Sequence, residues 1–190
     1  MNVSNRIVVT SIFMFLVMIF INKSVEGQTM SPSSGVPVTV SYVDLKRYIG
    51  LWYEIARLPN SFQRDCARNT TASYELQPDG RIRVINRCVG ADGVVKEAKG
   101  VARVVDTTSN SKLEVSFVRI LGIQLFWGDY WIIGLDSNYK YAVVGNPSRK
   151  YGWILSRTPE LSKEDMETAK GILRKNGYDP EKFVLSEQRH

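Results

Sequence analysis

The chain has a single histidine, and it is the last residue, His190. That scarcity removes hydrolase arrangements in which a histidine activates a serine or cysteine, and zinc sites built on histidine, unless the terminus folds back. Cysteine is nearly as scarce: Cys66 and Cys88 are the whole supply, too few for a four-thiolate metal centre. No glycine-rich phosphate cradle occurs, and no spacing of carboxylates singles out an acid–base pair. The formal charge is +6, yet the basic residues are interleaved with acids, as in Lys163-Glu164-Asp165 and in Arg174-Lys175 near Asp179 and Glu181. A nucleic-acid backbone would need a stripe of one sign. The chain is therefore expected to bind rather than transform: no metal, no cofactor, no nucleic acid and no catalytic residue is predicted.

Only one long apolar run is present. Ile7 to Ile21 spans 15 residues with Thr10 and Ser11 as its polar members, shorter than the roughly 20 that cross a bilayer. Arg6 precedes it and the polar stretch Asn22 to Gly27 follows. This pattern reads as a secretory signal over residues 1–27, cleaved after Gly27, with an uncleaved membrane anchor as the alternative. Loss of Arg6, Lys23 and Glu26 takes the formal charge from +6 to +5. From Gln28 to Ser41, Pro32, Ser33, Ser34, Gly35 and Pro37 interrupt any hydrophobic period, which predicts a flexible leader over residues 28–41. Residues 42–190 remain as one domain with one core.

Within that domain, strand-like runs alternate with turn chemistry. Candidates are Trp52 to Leu58, Asn69 to Gln77, Arg81 to Val89, Val94 to Asp106, Lys112 to Val118, Tyr130 to Asp136, Lys140 to Gly145 and Gly152 to Arg157. Pro78-Asp79-Gly80, Ala91-Asp92-Gly93, Ser109-Asn110-Ser111, Asp136-Ser137-Asn138 and Pro147-Ser148-Arg149 are turn signals between them. Eight antiparallel strands in simple succession close as an up-and-down barrel. Val43 to Tyr48 reads as a short helical turn ahead of them. One amphipathic helix follows, with Ser162 as N-cap, the stripe Met166, Ala169, Ile172 and Leu173, and Gly177 as its stop. Lys182 to Ser186 could add a last short strand. Cys66 and Cys88 fall at the same open end of one hairpin, so an exported chain is expected to pair them; two unpaired thiols or a reactive cysteine are the alternatives. The bridge would close a loop of about twenty residues, worth roughly 3 kcal/mol. Asn69-Thr70-Thr71 has the form of a glycosylation acceptor.

The most informative segments are Gly50-Leu51-Trp52-Tyr53-Glu54-Ile55-Ala56-Arg57-Leu58-Pro59, Tyr130-Trp131-Ile132-Ile133-Gly134-Leu135-Asp136 followed by Tyr139 to Gly145, and Trp153-Ile154-Leu155-Ser156-Arg157-Thr158-Pro159. A guanidinium from Arg157 lying over the Trp52 indole, behind Gly50, would make the first and last strands neighbours. In these blocks and their order the chain resembles the lipocalin family, and within it the bacterial lipocalin and apolipoprotein D group. The resemblance implies a lipocalin or calycin barrel with the helix packed outside, export, and a cavity carrying small hydrophobic or amphiphilic ligands such as fatty acids or lysophospholipids, for lipid storage, transport or membrane maintenance under stress. A planar pigment, or an enzyme of lipocalin type acting on a bound lipid, is the alternative. Many bacterial relatives carry a lipidated cysteine at the cleavage site; none precedes Cys66 here, so the expected location is secreted or periplasmic, as a monomer or homodimer.

Strict alternation from an inward Trp52 places Glu54, Ala56 and Leu58 in the cavity and Tyr53, Ile55 and Arg57 outside. Glu54 would then need an arginine or hydroxyl partner. The aromatic and aliphatic segment Phe117 to Trp131 is costly to leave in water; it is expected to line the mouth through Phe117, Trp127 and Tyr130, with Arg119, Tyr130 or Arg149 meeting a headgroup, or else to contact a membrane surface or a second copy.

Overall fold

The computed structural model describes residues 35–189. The expected signal segment and the leader as far as residue 34 lie outside the described residues. From Gly35 the leader is not free of the domain: Val38 N donates to Asn176 Oδ1 at 2.7 Å and Val40 N to Ile132 O at 3.0 Å.

A short helix α1 (Leu45–Tyr48), capped by Asp44, leads into β1 (Gly50–Arg57). There follow β2 (Arg68–Leu76), β3 (Ile82–Val89), β4 (Val95–Val104) and β5 (Lys112–Ser116), a small hairpin of β6 (Val118–Ile120) and β7 (Ile123–Leu125), then β8 (Gly128–Leu135), β9 (Tyr141–Gly145) and β10 (Gly152–Ser156). Helix α2 (Lys163–Lys175) and β11 (Val184–Leu185) end the chain. The sheet runs β10-β9-β8-β5-β4-β3-β2-β1-β11, and β10 also pairs with β1, so eight antiparallel strands close on themselves.

The closure is fixed at one corner. Arg157 Cζ lies 3.8 Å from the centroid of the Trp52 ring, and the same guanidinium donates to Leu51 O, Arg47 O, Tyr48 O and Ile49 O at 2.6–3.0 Å. It thereby satisfies the carbonyls that α1 leaves open at its C-terminal end, where a cation is also favoured. Trp52 Nε1 donates to Tyr48 O at 2.8 Å. Gly50 makes the approach feasible: its φ is +98°, and a Cβ there would sit 3.4 Å from Arg157 Nη1.

Alternation along β1 stops at a bulge. Glu54 pairs with Leu155 but Ala56 pairs with Ile154, leaving Ile55 as the extra residue. An added residue reverses the facing of everything after it. Ala56 and Leu58, expected inside, therefore join the outer cluster with Ile55, Ile133, Val143 and Ile154 beneath Ala169 and Leu173 of α2. Arg57, expected outside, turns to Glu54, Nη1 to Oε1 at 3.0 Å.

The upper halves of β1 and β2 do not pair with each other. The C-terminal segment occupies the gap: Ala56 pairs with Leu185, Arg57 with Val184, and Arg68 bridges to Glu187. Gln188 Nε2 donates to Glu54 O on one side and Thr70 O on the other, at 2.8 and 2.9 Å. Asn69 of the acceptor triplet is engaged here too, its Oδ1 taking Arg189 N at 2.6 Å. Cys66 and Cys88 form a disulfide with Cα atoms 5.5 Å apart, tying the loop after β1 to the end of β3.

Replacing Arg157 with methionine keeps the stem over Trp52 but removes all four hydrogen bonds to the carbonyls. We expect a loss of about 2–4 kcal/mol in the urea unfolding free energy; an unchanged midpoint would show that α1 is held by other contacts.

Candidate functional site

Inside the barrel, opposite the α2 side, lies a cavity of about 130 Å3. Its wall is made by inward residues of successive strands, among them Ala72, Ile82, Val84, Ala102, Leu113, Val115 and Leu155. α1 covers the closed end, because Val43 N bonds Ser109 O and Asp44 N bonds the Tyr139 hydroxyl in the loops below the strands.

Three tyrosines meet at that floor. The Tyr130 hydroxyl lies 2.8 Å from that of Tyr48 and 3.0 Å from that of Tyr74, and the Tyr48 ring packs 5.1 Å from Trp52. Burial raises the Tyr74 pKa to about 12 and those of Tyr48 and Tyr130 well above the ordinary value, because a phenolate there would be cut off from water.

Higher up sits a buried carboxylate. Glu54, 3% exposed, accepts from Arg57, from Gln63 Nε2 at 2.6 Å and from the Ser186 hydroxyl. The arginine and the hydroxyl that a charged Glu54 requires are thus both present, supplied by the bulge and by the C-terminal segment. Gln63 Oε1 accepts from Trp153 Nε1 at 3.1 Å, so the loop after β1 is anchored to the cup.

Aromatic rings frame the mouth. Phe62 lies 5.5 Å from Tyr151 and 6.3 Å from Trp153, and Tyr151 stacks on Trp153 at 6.2 Å. Phe117 closes the opposite side, where Gly100 admits it: a Cβ on Gly100 would stand 2.7 Å from the ring. On β3, Asn86 also lines the cavity, and among the described residues no donor reaches its buried Oδ1.

The residues expected at the mouth do not stay together. Phe117 is at the cavity, as expected. Tyr130 is also at the cavity but on its floor, too deep to meet a headgroup at the entrance. Trp127 is under the Arg103 guanidinium, 4.1 Å from Cζ to centroid, and does not line the cavity. Arg119 is exposed on the hairpin with Nε donating to Gly122 O, and Arg149 holds the C-terminal end of α2 through Asn176 O at 2.7 Å. Sequence reading missed Tyr48, Phe62, Gln63, Tyr74, Asn86, Tyr151 and Trp153 as site residues. Alternation along β2 and β3 points to Tyr74 and Asn86, whereas nothing local in the chain marks Phe62 or Gln63.

A family profile described as a lipocalin-like domain matches residues 43–188. Outer membrane lipoprotein Blc of Escherichia coli strain K12 is 38% identical over 159 residues, covering 83% of this chain and 86% of its own length. Apolipoprotein D of Macaca fascicularis is 34% identical over 177 residues, covering 87% of this chain and 88% of its own. Among solved structures, insecticyanin from the tobacco hornworm Manduca sexta superposes with a TM-score of 0.64 at 24% identity, over 80% of this chain and 84% of that one.

The tyrosine floor makes the fold sensitive to alkali. Each of the three phenols binds its proton more tightly folded than unfolded, so their contribution is complete below the unfolded pKa of 10.0 and is lost as pH rises above it, for Tyr74 through about 12. Unfolding free energy measured in urea is expected to fall over that window. Absorbance at 295 nm should show these tyrosines ionising only as the protein unfolds; ionisation near pH 10 in the folded protein would mean that water reaches the floor.

Proposed function

This chain belongs to the lipocalin family, and on that premise we propose that it binds a fatty acid, lysophospholipid or similar amphiphile in the cup and carries it without transforming it. The observation that carries this reading is the cavity itself: apolar walls, one closed end and one aromatic mouth. Each methylene buried there contributes about 0.8 kcal/mol, so a single chain reaches micromolar affinity with no specific polar code. Storage, movement or scavenging of membrane-derived lipid is the role such a cup serves.

Export fits this role. The disulfide belongs to an oxidising compartment, and one set of relatives carries the name outer membrane lipoprotein. We place the protein in the periplasm or outside the cell, and take it as a monomer or homodimer.

Protein purified without detergent should release fatty acid or lysophospholipid stoichiometrically on extraction, read by mass spectrometry. Ala102→Trp, which puts an indole into the cavity, should cut that yield at least tenfold while circular dichroism is unchanged. An empty wild-type protein that also fails to take up acyl chains would overturn the reading.

A second reading, contact with a membrane surface, is favoured by the β6–β7 hairpin beside the mouth. Its tip residue Leu121 is 98% exposed and Phe126 is 78% exposed. Leu121→Asp with Phe126→Asp should weaken co-sedimentation with anionic phospholipid vesicles at least fivefold and leave cup affinity unaltered. Equal sedimentation of variant and wild type would remove the membrane role.

A further inference from the structure

The tyrosine cluster holds more hydrogen-bonding capacity than the protein uses. Tyr48, Tyr74 and Tyr130 carry one hydroxyl proton each, and two bonds join them. Among the described residues no other acceptor takes a proton from any of the three. Whichever way the two bonds run, one O–H remains over. That count does not depend on how the hydrogens are placed. The surplus donor belongs to one of three side chains that all line the cavity, and burial holds their phenol protons more tightly than usual.

Nothing on a bare hydrocarbon end can accept this proton. A donor held in an apolar pocket without a partner costs as much as a lost hydrogen bond. The lining holds a second such atom: Asn86 Oδ1, buried and given no donor among the described residues. It stands on β3 two residues beyond Val84, which pairs with Tyr74, and so about 7 Å nearer the mouth. A lining shaped only for alkyl chains has no use for either.

We propose that the cup prefers an oxygenated hydrophobe, one whose innermost end carries a ketone, ether or hydroxyl oxygen that accepts the spare tyrosine proton, over an all-hydrocarbon end of the same size. This rests on the cavity being the ligand site. It reverses the usual picture of an amphiphile at one point only: the inserted end is polar too. A carbonyl oxygen with its two lone pairs suits the floor best, because it accepts without bringing a further proton that would need a partner of its own.

The test uses the full chain, delipidated, with N-phenyl-1-naphthylamine as the fluorescent occupant and 2-dodecanone or dodecane as competitors. Each ligand is compared with itself across variants, which removes differences in aqueous solvation. In Y48F/Y74F/Y130F the affinity for 2-dodecanone should fall about five- to tenfold while that for dodecane holds or rises. Y48F and Y74F singly should retain most of the ketone affinity, since each leaves two hydroxyls, one bond and again one spare proton. Dodecane binding in the triple variant also reports that its cup is intact. A 2-dodecanone affinity unchanged in the triple variant, with dodecane also unchanged, would overturn the preference and leave the carrier reading standing. Failure of both competitors on the wild-type protein would overturn both readings together.

Discussion

The contact on which the architecture depends is the Arg157 guanidinium, shared between an indole face and four main-chain carbonyls. Each partner alone would be a modest interaction. Together they solve three problems with one side chain: α1 gains a C-terminal cap, Trp52 gains a cover, and the strand preceding Arg157 is brought against the strand that begins at Gly50. A barrel has no edges only if its first and last strands meet. Arg157 sits where that meeting is decided, and the floor of the cavity is built on the helix it caps.

The strand count, the helix, the disulfide and the Trp52–Arg157 contact were legible in the sequence because each has a local signature or a pairing of distinctive residues. What stayed hidden was parity. Alternation assigns faces correctly along β1 as far as Glu54, and one bulged residue at Ile55 then inverts Ala56, Arg57 and Leu58. No residue type at that point announces a bulge. The error is informative, because the bulge is what turns Arg57 toward Glu54, so the partner that a buried carboxylate demands was next to it all along.

The segment from Phe117 to Trp131 shows a different limit. Composition declared it apolar but not how it would divide. Backbone conformation decides this: Leu121 and Phe126 both adopt positive φ, 49° and 57°, positions that non-glycine residues seldom take. With Gly122 they fold the segment into a hairpin that sends Phe117 to the cavity and its tip to solvent. Trp127 is left to pair with Arg103, a residue far away in sequence with no visible link to it. Phe62, Tyr151 and Trp153 likewise come together only in three dimensions.

The wall between β1 and β2 is finished by the chain's last residues. Gln188 and Ser186 reach groups on Glu54, 134 and 132 positions earlier. Contacts so distant in sequence form late and slowly. In a chain synthesised from its N-terminus, the seam stays open until Ser186 and Gln188 have been made and are free to reach Glu54. The barrel is thus sealed by the segment that can arrive last, and until it does the upper edges of β1 and β2 stand unpaired with one another.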